Sequence, residues 1–172
     1  MKAIIEFVEM IRKDFSCIDY ALEDKDRKYF DPCVSAIIVR DDQKNNVSMG
    51  SINVPDDLSF WWSYVHEATL FKGLLHHQSG IYIFPGEYSK VATRKFFERS
   101  EGGSFKDGIV FGTFISDFDQ AIVSCKEGPS YGKVFIAQQM VHFQKWPWVA
   151  DSFLEFIQTF VNHKGEKFWE NN

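Results

Sequence analysis

Asp117 and Asp119 stand two residues apart between two apolar runs. On a strand such a pair shares one face, and like-charged carboxyls held together can divide acid and base roles between them. Ser116-Asp117-Phe118-Asp119 also reads as a hairpin turn, because Asp and Ser side chains hydrogen-bond to nearby backbone, and the turn is the preferred reading. Other chemistry-bearing residues are scattered. His66, His76, His77, His142 and His163 include no pair four residues apart, the spacing of a helical metal site. Cys17, Cys33 and Cys125 are odd in number and lack CxxC spacing, so they read as reduced, partly buried thiols rather than a disulfide or zinc framework. Glu101-Gly102-Gly103-Ser104 lacks both the Walker lysine and the dinucleotide glycine spacing. The sequence thus predicts no catalytic residue, no cofactor and no metal site. What remains is aromatic. Trp61-Trp62 and Trp146-Pro147-Trp148 are expected to place one tryptophan of each pair in the core and the other at the rim, where it could anchor a partner.

The elements that would position these residues are read from periodicity. Ile4, Ile5, Phe7, Val8 and Ile11 recur at helical spacing over residues 2–14. Residues 19–31 are charge-rich and end in the turn signal Asp31-Pro32. Val34 to Val39 is a β-branched run, Arg40 to Asn46 a polar loop, and Val47 to Asn53 a candidate return strand. Pro55 with Asp56 and Asp57 marks a helix start. Leu58, Trp61, Trp62 and Val65 supply that helix's apolar stripe, and Gly73 is its expected stop. Ile81 to Phe84 reads as a strand and Glu87 to Arg99 as a helix, followed by a glycine-containing loop over Ser100 to Gly108. Three strands are expected at Ile109 to Ile115, Gln120 to Cys125 and Lys133 to Ala137, the last two joined through Glu127-Gly128-Pro129. Trp146-Pro147-Trp148 leads into a final helix whose buried face is Val149, Phe153, Phe156, Ile157, Phe160 and Val161. This order predicts a single α+β domain over residues 1–172, with a mostly antiparallel sheet packed by N-terminal, middle and C-terminal helices.

Composition bounds the class. A chain of 172 residues suits one domain. With 18 Phe, 6 Tyr and 5 Trp, disorder is excluded as a description of the whole. The 19 basic and 24 acidic side chains give a net charge of −5, which lacks the basic field that coats nucleic acid. Residues 1–60 hold 8 basic and 12 acidic side chains, so the acidity concentrates there. Glu6 and Glu9 interrupt any secretory leader, and no apolar run of about 18 residues exists. The expectation is a soluble cytoplasmic protein, a monomer or weak dimer, without membrane or direct nucleic-acid partners.

Two segments carry a family resemblance. Val54-Pro55-Asp56-Asp57-Leu58-Ser59-Phe60-Trp61-Trp62 is one. The other runs from Gly108-Ile109-Val110-Phe111-Gly112 to Ala150-Asp151-Ser152-Phe153-Leu154-Glu155-Phe156-Ile157. Together they resemble the SUKH superfamily, which includes the Smi–Knr type cell-wall-regulator domain, over roughly residues 54–161 plus the opening helix. The resemblance implies an α+β domain without catalytic residues. Bacterial members are similar to immunity proteins that bind and neutralise cognate toxins, nucleases among them, and eukaryotic members to scaffolds of wall and signalling pathways. The leading expectation is therefore a non-catalytic immunity protein whose acidic side chains complement a basic toxin. Its candidate partner-binding residues are Asp41, Asp42, Asp117, Asp119 and Trp146, with Asp56 and Asp57 weighted least because they serve a helix start. A regulatory scaffold without a toxin and a small-molecule-binding domain are the alternatives; the last needs a concave pocket with convergent polar groups.

Overall fold

The computed structural model describes residues 2–14, 33–40, 47–74, 80–99 and 107–170. Among the described residues, seven strands form one antiparallel sheet in strictly sequential order. They are β1 (Cys33–Val39), β2 (Val65–Gly73), β3 (Ile81–Ile83), β4 (Gly108–Phe114), β5 (Gln120–Ser124), β6 (Val134–Ala137) and β7 (Trp148–Ala150). Four α-helices among the described residues accompany them: α1 (Lys2–Asp14), α2 (Asp56–Tyr64), α3 (Gly86–Arg99) and α4 (Phe153–Asn162). The architecture is α+β, as the element order predicts.

Strand alternation divides the core in two. Ile109 and Phe111 of β4, Ala121 and Val123 of β5, and Val134 and Ile136 of β6 face the layer built by α1, α2 and α4. Val110, Ile122, Phe135 and Ala137, the residues between them, face Ala92 and Phe96 of α3 on the opposite side. Both faces of the central strands are therefore covered, which is why these runs are apolar throughout rather than alternating. Thr93 of α3 accepts a hydrogen bond from the Val110 N–H (3.0 Å), satisfying a β4 donor beyond the reach of the short β3.

Local chemistry explains the helix ends. Ser152 accepts from the Glu155 N–H (3.1 Å) at the start of α4, and Asp57 of α2 accepts from the Leu154 N–H (2.9 Å) in that same first turn. Asp57 thus fastens one helix to the N-terminus of another, ninety-seven residues away in the chain.

Four expectations are corrected. The helix that Pro55 starts ends at Tyr64, and Val65 adopts extended backbone to begin β2. No Gly or Pro separates the two, so the apolar stripe gave no sign of the change in period; pairing with β1 and β3 on both sides decides it. Val47 to Asn53 is irregular rather than a return strand. Residues Val65 to Gly73 take the place beside β1 that a local hairpin would have used. Trp148 to Ala150 forms the edge strand β7, so Val149 lies outside α4. Trp61 and Trp62 are both buried, at 1% exposure each, instead of one lying at the rim. Trp61 packs edge-to-face on Phe153 (5.4 Å), and the Trp62 indole N–H donates to the Phe84 carbonyl (3.2 Å).

Candidate functional site

The acid pair lies in the turn that joins β4 to β5. The Asp117 carboxylate accepts from the Asp119 N–H (3.2 Å), an Asx-type contact that shapes the turn. Asp119 is buried, and its carboxylate accepts from the Gln139 N–H (2.9 Å) and from the Lys167 ammonium (3.1 Å). Lys167 also bonds Asp117, approaches Glu170 (3.4 Å) and lies 5.0 Å from the centre of the Phe114 ring. One ammonium therefore compensates the pair, in a clamp between the β4–β5 turn, the chain after β6 and the segment after α4. Burial alone would push the Lys167 ammonium down, but its hydrogen bonds to Asp117 and Asp119 and their charges outweigh that and raise it.

The remaining candidates are dispersed. Asp41, Asp42, His76, His77 and Cys17 lie outside the described residues. The His142 ring caps the short turn at Phe143–Lys145, and the His163 ring bonds the Thr159 carbonyl (2.8 Å). Among the described residues, no group of three His, Cys, Asp or Glu side chains is placed to hold a metal ion. Cys125 is buried, and burial, reinforced by the charge of Asp107, pushes its thiol up to about 12.

That thiol sets an alkaline limit on stability. Burial likewise raises Tyr82 to about 12, with its hydrogen bond to Glu67 adding to the effect. A group whose pKa is raised by folding leaves stability intact below its unfolded value; the contribution is lost as pH climbs toward the folded value. Ordinary values of 9.0 for Cys125, 10.0 for Tyr82 and 10.5 for Lys167 place that window above pH 9.0. Urea midpoints should fall progressively from there upward, and Cys125→Ala should flatten the first part of the decline. A midpoint independent of pH across that range would contradict the assignment.

Trp146 belongs to a different feature. Its indole N–H donates to the Val141 carbonyl (2.9 Å), and its ring stacks at 6.0 Å and 13° on Phe135. It forms one wall of a groove of about 780 Å³ on the α3 side of the sheet. Tyr82, Thr113, Gln120 and Ala137 contribute to its lining from the strands, Phe84 from just after β3, and Tyr88, Ala92, Lys95 and Phe96 from α3. Phe118 and residues 138–141 also line it. A smaller depression of about 480 Å³ lies beside β7, with Trp148, Lys133 and Asp151 in its lining.

The groove's rim is unusual in two respects. Phe118 and Met140 both hold left-handed backbone, at φ 61° and 60°, which costs a residue with a side chain about 1–2 kcal/mol. Both are also among the most exposed large apolar residues, with Phe118 at 62% and Met140 fully exposed. Tyr88 is exposed too. Trp148 is exposed on the same flank, sharing a shallow hollow with Phe143 and Trp146. Sequence reasoning singled out Trp146 and missed the rest of the groove. An exposed Phe or Met is indistinguishable from a core residue in a chain where most aromatics pack inside. No family model matches this chain, and no curated protein matches it.

Proposed function

We propose that this protein is a non-catalytic binding domain, a cytoplasmic immunity protein that binds and neutralises a protein toxin. The observation that carries the reading is the gathering of exposed Tyr88, Phe118 and Met140 at one groove, with exposed Trp148 in the hollow that shares Phe143 and Trp146 with it. Aromatic residues and Met are the types enriched at protein interfaces, and contiguous exposed apolar patches are rare on proteins without a partner. The SUKH resemblance supplies the class of partner. The net charge of −5 favours a basic toxin, a nuclease being one such class, and speeds encounter with it. Asp117, part-exposed beside Phe118, is the described candidate acid nearest this flank; Asp119 is buried in the Lys167 clamp and supports the turn from beneath.

The test is co-expression with the toxin domain encoded beside the gene. The chain should rescue growth and co-purify with that domain. Met140→Asp combined with Trp148→Ala changes two exposed side chains, so the fold should persist while affinity falls about 100-fold, in the range of interface anchors. Failure both to rescue and to co-purify would overturn the reading.

A further inference from the structure

We infer that the groove between α3 and residues 138–146 is also a binding site for a small, flat, apolar molecule carrying one anionic group. Its volume of about 780 Å³ falls within the range of pockets that enclose such ligands, about 300–1,000 Å³. Seven of its lining residues are aromatic, and ring walls favour a flat occupant that can stack or meet them edge-on. Phe84 and Tyr88 already meet edge-to-face at 4.8 Å, and Phe96 lies 5.8 Å from Trp146, so the walls are held by their own contacts.

The lining also holds polar side chains, Thr113, Gln138 and Gln139 among them, and two others, Gln120 and Lys95, carry the recognition. Gln120 is fixed through its amide N–H groups, which donate to the Thr113 hydroxyl (2.9 Å) and the Phe118 carbonyl (2.7 Å). That leaves its side-chain oxygen as an acceptor at the lining. Among the described residues, Lys95 is the one charged side chain lining the groove, and no ion pair engages it. In a chain of net charge −5, a lining whose sole described charge is positive selects a single anion. Apolar walls, a fixed acceptor and one ammonium together describe a monoanionic ligand with a flat body.

Two dyes separate the contributions. Anilinonaphthalene sulfonate is a monoanion with a flat naphthalene body, and phenylnaphthylamine is the same ring system without the sulfonate. Titrations followed by calorimetry and by quenching of tryptophan emission should show one saturable site per chain for each dye. The sulfonate should bind about five- to tenfold more tightly. Lys95→Gln should abolish that preference while leaving the neutral dye's affinity unchanged. Ala92→Trp, which fills the groove, should remove both dyes. Matching cooperative urea transitions for wild type and variants would exclude staining of a loosened fold. Several weak equivalent sites, no saturation, or an undiminished sulfonate preference in Lys95→Gln would overturn the inference. The inference does not rest on the toxin-binding reading: co-purification with a toxin would stand if the dyes failed, and the dyes could bind if co-purification failed.

Discussion

Replacing Lys167 with methionine will lower the unfolding free energy by about 3 kcal/mol. The ammonium is the shared partner of Asp117, Asp119 and Glu170, and its side chain is 15% exposed. Asp117 and Glu170 are half-exposed, so water will solvate them when the ammonium is gone, and their loss costs little. Asp119 is different. Its side chain is 8% exposed, and without Lys167 its remaining described donor is the Gln139 N–H. Removing one member of a buried ion pair strands the other, which costs about 3–5 kcal/mol; the partial exposure of the cluster places this case at the lower end. The carboxylate itself can then be tested. Asp119→Asn keeps an oxygen for Gln139 and removes the charge, so adding it to Lys167→Met should restore at least half of the loss. Urea unfolding of the two single variants and the double variant closes a thermodynamic cycle. A loss below about 1 kcal/mol, with no coupling in the cycle, would show that the cluster is a solvated ion pair and not a clamp.

How much of this was legible in the sequence depended on the distance over which each feature is encoded. α1 was readable from its local apolar spacing, and so was the buried face of α4 from Phe153 onward; the start of α4 was placed too early, at Val149, which belongs to β7. β4, β5 and β6 were readable as continuous apolar runs bounded by turn residues. The junction of α2 and β2 was not, since no breaker lies between Pro55 and Gly73 and the residues from Leu58 to Val65 satisfy a helical stripe. Extended backbone wins there because β1 and β3 provide partners on both sides, a fact of tertiary structure. The site follows the same rule. The turn at Asp117 and Asp119 was readable from residue type. Its partner Lys167 stands fifty and forty-eight residues further along, in a polar stretch that looks like an ordinary solvated tail. The groove is assembled from β3 to β6, α3 and the chain after β6, and no segment of it carries a pattern of its own. Trp146 was the one lining residue singled out, because tryptophan is a favoured interface anchor.

Gly165→Ala should cost about as much as the lysine variant, and by a separable mechanism. After α4 the chain reverses through Lys164 at φ 53° and Gly165 at φ 85°, and the Gly165 N–H donates to the Phe160 carbonyl (2.9 Å). A methyl group at Gly165 would meet the Cβ of Phe71 at 2.4 Å and its Cγ at 2.6 Å. Phe71 cannot retreat. It is buried, its N–H donates to the Ser35 hydroxyl (3.1 Å), and its ring packs edge-to-face on Phe160 at 5.8 Å. The left-handed conformation accounts for about 1 kcal/mol of the cost and overpacking for a further 1–3 kcal/mol, or about 3 kcal/mol together. Gly50→Ala isolates the first part, because Gly50 has φ 73° and nothing within 4 Å of an added Cβ. The excess of the Gly165 effect over the Gly50 effect then measures the collision with Phe71. Gly165 also sets the path of the chain toward Lys167, so displacing it should loosen the ammonium from Asp119. The losses from Gly165→Ala and Lys167→Met should therefore sum to more than the loss in the double variant. Equal effects at Gly50 and Gly165 would mean that the core around Phe71 yields; strict additivity would mean that the turn after α4 and the Lys167 clamp are independent.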